Sequence, residues 1–219
     1  MMPPFSAQDF LELFGRYNVA VWPAQLLLYG IAALIVILVM QQDRPRLVLV
    51  LLATLWLWSG LAYHLVFFSA INPIAPLFGI MFVAQAVILL WVARGRAAGA
   101  GGAQHQPVAV HAGKALVAYA LIGYPLLGYL AGHHYPATPT FGAPCPTTIF
   151  TLGVLLWARC DLSWSIVAIP VAWTFIGTSA ALQLSVPQDF GLAIAGLTSL
   201  IVFAYQRTQR LEMRRAALK

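Results

Sequence analysis

From Ala115 to Ala158 the chain carries no formal charge. On either side the pattern continues as apolar runs of about 20 residues, each long enough to cross about 30 Å of hydrocarbon, parted by short polar or cationic gaps. A polypeptide in lipid must satisfy its backbone N–H and C=O groups internally, so such runs read as helices. Composition closes off the soluble alternative. Charged residues are 8% of the chain and hydrophobic ones 61%, whereas a water-soluble domain has roughly a quarter of its residues charged.

The expected fold class is an all-α membrane protein with seven transmembrane helices. The runs cover Val19 to Met40, Leu47 to Phe68, Pro73 to Ala93, Ala115 to Ala131, Thr147 to Trp157 (extended outward by Pro144 to Pro146), Ser163 to Leu184 and Phe190 to Tyr205. Residues 1–18 lack the basic start of a secretory signal. They read as an interfacial amphipathic helix, with Phe5, Phe10, Leu13 and Phe14 on one face. The resulting organisation is one domain over 19–206. It comprises a first bundle 19–93, a Gly/Ala-rich linker 94–114, a fourth helix 115–131 and a second bundle 144–206, with a basic tail 207–219.

The net charge is +6, but the cations lie in the gaps and not over one face, which points away from nucleic acid and towards membrane orientation. Of 12 lysines and arginines, only Arg16 falls on the N-terminal side of the seven-span plan. The positive-inside rule then sets the N-terminus outside and the C-terminus in the cytoplasm of a bacterial inner membrane. This orientation puts His64, Asn72, the stretch Gly132 to Thr151, Gln188 and Asp189 on the outer side. Lipid and a small solute are the expected partners, and several copies of the chain could assemble.

The stretch Gly132 to Thr151 is the natural place for recognition, with its paired histidines, four prolines, one cysteine and cluster of hydroxyls. Asn72-Pro73, Pro146-Thr147-Thr148 and Ser185 to Asp189 each read as an outward-facing helix start. Free N–H groups and positive dipole ends there favour a polar or anionic ligand, although ordinary capping explains them equally. Gln25, His64, Asn72, Thr147, Thr148 and Thr178 are the candidate solute-binding residues. The alternative is a metal site for zinc or copper built from His64, His133, His134 and Cys145, which are suitable ligands without a recognised spacing. Cys160 falls at the opposite boundary, so no disulfide with Cys145 is expected.

The sequence lacks H-E-x-x-H, G-x-S-x-G and phosphate-loop motifs, and the seventh run has no lysine for a Schiff base. No Asp or Glu lies deep in a run, which argues against a carboxylate proton relay. Catalysis is therefore the lesser reading. The first and last three runs align in part. Trp22 to Gly30 lies over Cys145 to Gly153, Trp56-x-x-x-Gly60 over Trp173-x-x-x-Gly177, and Phe78-Gly79 over Phe190-Gly191. These matches suggest a parallel repeat about an axis along the membrane normal.

This three-plus-one-plus-three plan resembles that of the SWEET sugar transporters and the PnuC vitamin transporters. In sequence the chain resembles a bacterial polytopic membrane-protein family, a domain of unknown function sometimes labelled a permease. The residues that carry this are Arg16-Tyr-Asn-Val-Ala-Val-Trp-Pro-Ala-Gln25, Tyr63-His64 with Asn72-Pro73, Pro139 to Phe150 and Ile176-Gly-Thr-Ser-Ala180. The resemblance implies passage of a small solute and supplies no activity of its own.

Overall fold

Ser6 starts the first helix. Its hydroxyl accepts from the Asp9 N–H at 3.1 Å while the Asp9 carboxylate accepts from the Ser6 N–H at 2.8 Å, a reciprocal capping box. The computed structural model describes residues 4–42, 44–95, 107–158 and 163–216. Cys160, Arg96, Arg159 and residues 96–106 of the expected linker lie outside them.

Helix α1 (Ala7–Val21) ends ahead of Pro23, and α2 (Ala24–Met40) leaves at 87° to it. The apolar stripe of α1 carries Phe10, Leu13, Phe14 and Tyr17, spaced three and four residues apart, and is buried against the protein. The face expected to lie on lipid over residues 1–18 is thus packed on protein, and α1 forms a crosspiece over the end of the bundle. Tyr17 is held there by Trp58, whose indole N–H donates to the phenol oxygen at 2.8 Å.

The second run is helix α3 (Pro45–Trp58), prolonged by a π-helical segment, Ser59–Phe67, and a 3₁₀ turn, Phe68–Ala70. Helix α4 (Ala75–Arg94) packs back along it. The fourth helix begins earlier than expected. Helix α5 (Pro107–Ala118) runs through a second π segment, Tyr119–Gly123, into α6 (Tyr124–Leu130). Residues 107–114 are thus helix and not linker, since Pro107 is suited to a first helical position and Val, Ala and Lys continue it. Lys114 lies over the Trp157 ring, 5.6 Å from its centroid.

Helix α7 (Pro144–Trp157) is the pillar of the fold, in contact with α2, α3, α5, α8 (Trp164–Leu184) and α9 (Gly191–Ala216). Twelve of its 14 residues are buried, so it does not read as a lipid-facing span. At 1.5 Å per residue it is about 21 Å long. The loop 131–143 leads into its N-terminal end. Gly113 and Gly153 allow α5 and α7 to touch: a Cβ on Gly113 would stand 2.6 Å from the Gly153 carbonyl oxygen. The expected basic tail continues α9 in helical form as far as Ala216.

Among the described residues, five helical segments are long and apolar enough to cross a membrane, or six if the bent α1–α2 pair counts as one. The chain is accordingly an all-helical protein suited to a membrane. The aligned halves match unevenly. Gly60 faces Gly79 on the next helix, and Gly177 faces Leu192 on its own next helix. Gly30 meets nothing within 4 Å, whereas Gly153 is pressed against α5.

Candidate functional site

Two buried polar clusters lie under the loop 131–143, and they differ in kind. The first fastens the roof. Asn18 Nδ2 donates to the Pro136 and Thr138 carbonyls at 2.6 and 2.7 Å, and its Oδ1 accepts from Gln25 Nε2 at 2.7 Å and the Thr140 hydroxyl at 2.9 Å. That uses both donors and both acceptor positions of the amide. Ser59 adds a bond to the Gly142 carbonyl at 2.8 Å, and Gly142 sits at a φ of +96°, where a side chain would be strained. Gln25 thus fastens the loop through Asn18 and Thr140 and does not line the cavity described next.

The second cluster surrounds a cavity of about 340 Å³ between α1, the π segment of the second run, α7, α8 and the 3₁₀ turn Pro187–Phe190. His64, Asn72, Cys145 and Asp189 all line it. Asp189 is 4% exposed, and the Tyr124 hydroxyl donates to its carboxylate at 2.5 Å. The Cys145 thiol lies within hydrogen-bonding reach of the same carboxylate. Gly177 lets α9 close on this corner: a Cβ there would stand 2.4 Å from Leu192 Cδ1, with the Cys145 sulfur 3.6 Å and Trp173 Nε1 3.7 Å away.

Both π segments serve this geometry. In an α-helix residues five apart diverge by about 140°, but the wider π turn brings them nearer one face. Tyr119 and Tyr124 thus grip the same turn, Tyr119 donating to the Gln188 carbonyl at 2.6 Å and Tyr124 to Asp189. Ser59 and His64 bear the same relation in the other π segment, the first bonding the roof and the second reaching the cavity.

His64 is fully buried, with neither ring nitrogen partnered, and it stands 4.7 Å from Phe82 and 5.1 Å from Trp173 between ring centroids. Trp173 Nε1 makes no hydrogen bond to a nitrogen or oxygen and has the Cys145 sulfur as a polar neighbour. Buried polar atoms ordinarily find partners, so unmet ones on residues that line a cavity mark a place for a ligand.

The other expected site residues fall elsewhere. Thr148 turns its hydroxyl back to the Pro144 carbonyl at 2.8 Å, and Thr147 is buried inside the bundle; neither lines the cavity. Thr178 also lies off it. The metal set is dispersed. His133 Nδ1 approaches Gln188 Nε2 at 3.4 Å, and His134 packs on the Tyr129 ring at 4.8 Å; neither reaches the cavity. Among the described residues no three His, Cys, Asp or Glu side chains are placed to hold a metal ion.

Two of the helix starts use up part of their N–H groups within the chain. Pro144 and Pro146 remove two of the N–H groups at the head of α7, and the Thr147 N–H bonds the Ala143 carbonyl at 3.2 Å. Asn72 Oδ1 takes the Ile74 N–H at 3.1 Å ahead of α4. Sequence reasoning placed Asp189 outside and passed over it. The visible signal was an acid directly ahead of an apolar run, where the dipole of α9 favours a negative charge.

A family model matches residues 7–214, nearly the whole chain. The chain belongs to DUF6064, a family of unknown function. No curated protein and no solved structure matches it. The match to DUF6064 covers both clusters and all the helices that build the cavity, so the site lies within what defines the family.

Proposed function

We propose that this DUF6064 protein is a transporter or facilitator of the bacterial inner membrane. It would take a small amphipathic solute from the outer side into the cavity beneath α1 and the roof loop. Seven helices with the N-terminus outside complete this reading, α2 and α7 being the two that fall short of a full span alone. Rocking of α2–α4 against α7–α9, related as a parallel repeat, would carry the solute across.

The observation that carries the reading is the unmet polarity of the cavity. His64 holds two buried nitrogens without partners beside the carboxylate of Asp189, inside walls that are otherwise aromatic. An apolar body with one polar head fits such walls. A neutral apolar molecule crosses a bilayer unaided, so only a solute with a polar head needs a carrier. Of the polar or anionic solutes expected, an anion fits less well, because the titratable side chain at the cavity is an acid and no lysine or arginine among the described residues lines it.

Proteoliposomes bathed in a bacterial metabolite extract, then washed and analysed by mass spectrometry, test this directly. One or a few compounds should accumulate above the level in protein-free liposomes, and Trp173→Ala should abolish that excess. Contents indistinguishable from those of protein-free liposomes would remove transport.

A further inference from the structure

Taking the cavity as a solute site, we propose that its ligand is an organic cation, a protonated or quaternary amine carried on a small apolar body. The argument starts from charge. Asp189 is a buried carboxylate whose neighbours, the Tyr124 hydroxyl and the Cys145 thiol, are hydrogen-bond donors without positive charge. Among the described residues no lysine or arginine lines the cavity, and Asp189 makes no ion pair. A buried acid lacking a counter-charge is costly, and a ligand ammonium supplies the missing partner.

The walls fit the same ligand independently. Phe10, Phe14, Tyr63, Phe68, Phe78 and Trp173 surround the space. Phe14 stacks on Tyr63 with centroids 5.2 Å apart, and Phe78 meets Trp173 edge-on at 5.3 Å. Aromatic faces around a cavity attract a cation through their quadrupoles, and cages of this kind hold quaternary ammonium groups. His64 supplies the remaining contact. A neutral imidazole has one acceptor nitrogen, and here both nitrogens are free, so whichever is unprotonated can accept from an ammonium N–H.

Anions are disfavoured on the same grounds. An anionic head would stand beside Asp189 with no cation to offset it. An uncharged head would satisfy His64 but forgo the ion pair that Asp189 offers, leaving that carboxyl to carry its own proton. Charge, not size, is therefore the selecting feature of the cavity.

The test uses the full chain in nanodiscs of zwitterionic lipid, with radiolabelled benzyltrimethylammonium as the probe. Saturable binding is expected, displaced by benzylamine and not by benzoate. Benzyl alcohol, of the same size and uncharged, should compete about tenfold or more weakly, the scale of one favourable cation–aromatic or charge contact. Asp189→Asn should weaken cation binding by at least about tenfold. Absence of saturable cation binding, or displacement by benzoate as effective as by benzylamine, overturns the proposal. The ligand series on the native chain decides this even if the variant fails to fold. If benzyl alcohol or benzoate raises the thermal midpoint while the cation does not bind, the cation assignment falls and the solute site stands. If none of them binds and no compound accumulates in proteoliposomes, both fall.

Discussion

The two polar clusters under the roof loop are built from similar side chains and come to opposite ends. Around Asn18 every amide position is used: two loop carbonyls accept, and Gln25 and Thr140 donate. Around Asp189 the carboxylate has partners, but both nitrogens of His64 do not. A saturated network fixes a conformation, because loss of any member strands the others. An unsaturated one carries an energetic cost in the empty protein and is rewarded only when something else fills it. The difference teaches which buried polar residues hold the fold and which await a ligand, a distinction that burial alone does not make.

The largest effect should come from breaking the saturated side. Asn18→Ala strands the Pro136 and Thr138 carbonyls together with Gln25 and Thr140. At roughly 1–3 kcal/mol per unmet buried group, partly relaxed, a loss of about 3–5 kcal/mol is expected. The thermal midpoint in detergent should drop more than for any other single change under the roof. Cys145, half-buried at the cavity, should also react faster with a thiol reagent in a Cys160→Ser background. A midpoint close to that of the native chain would mean that the roof is held by Phe141 and the prolines instead.

Matched polar-to-leucine changes at the two clusters sharpen the contrast. Gln25→Leu should destabilise by about 1–3 kcal/mol, since Asn18 and Thr140 lose a donor. His64→Leu removes two nitrogens that bond nothing, so stability should hold or rise by about 1 kcal/mol while solute uptake is lost. Opposite signs in one unfolding assay are the expected result. Equal destabilisation would show that His64 is a structural residue after all.

The smallest effect concerns the helix that closes the cavity. Hydrogen bonds from Ser6 hold the Asp9 carboxyl below its usual value of 3.8. A group with a lowered folded pKa contributes stability that is present above its unfolded pKa and lost as pH falls through the folded one. The first turn of α1 should therefore remain capped at neutral pH and loosen only below pH 3.8. Carbonyl NMR of Asp9 should show a midpoint below 3.8 that returns towards the ordinary value in Ser6→Ala. An unchanged midpoint in that variant would remove the capping box as the cause.

Much of the architecture was legible in local order along the chain. Charge-free runs, the capping pair Ser6 and Asp9 and the prolines of Pro136 to Pro146 dictate helices, the start of α1 and a broken roof. Each of these follows from hydropathy, hydrogen-bonding capacity or a missing N–H within a few residues. The membership of the site was not legible, and the threonines show why. Thr147 and Thr148 lie beside Cys145 in sequence, yet α-helical rotation of about 100° per residue points them into the bundle, while Cys145 reaches the cavity.

The sequence by itself therefore determined that this chain is helical, suited to a membrane and polar at one end of its bundle, because those properties are sums over neighbouring residues. The tertiary structure decided that Asp189, Tyr124, Cys145 and His64 share one small space. They come from the seventh run, the fourth, the fifth and the second, and two of them are turned inward by π segments. Such convergence depends on how helices pack and rotate against one another, information that no single stretch of chain contains.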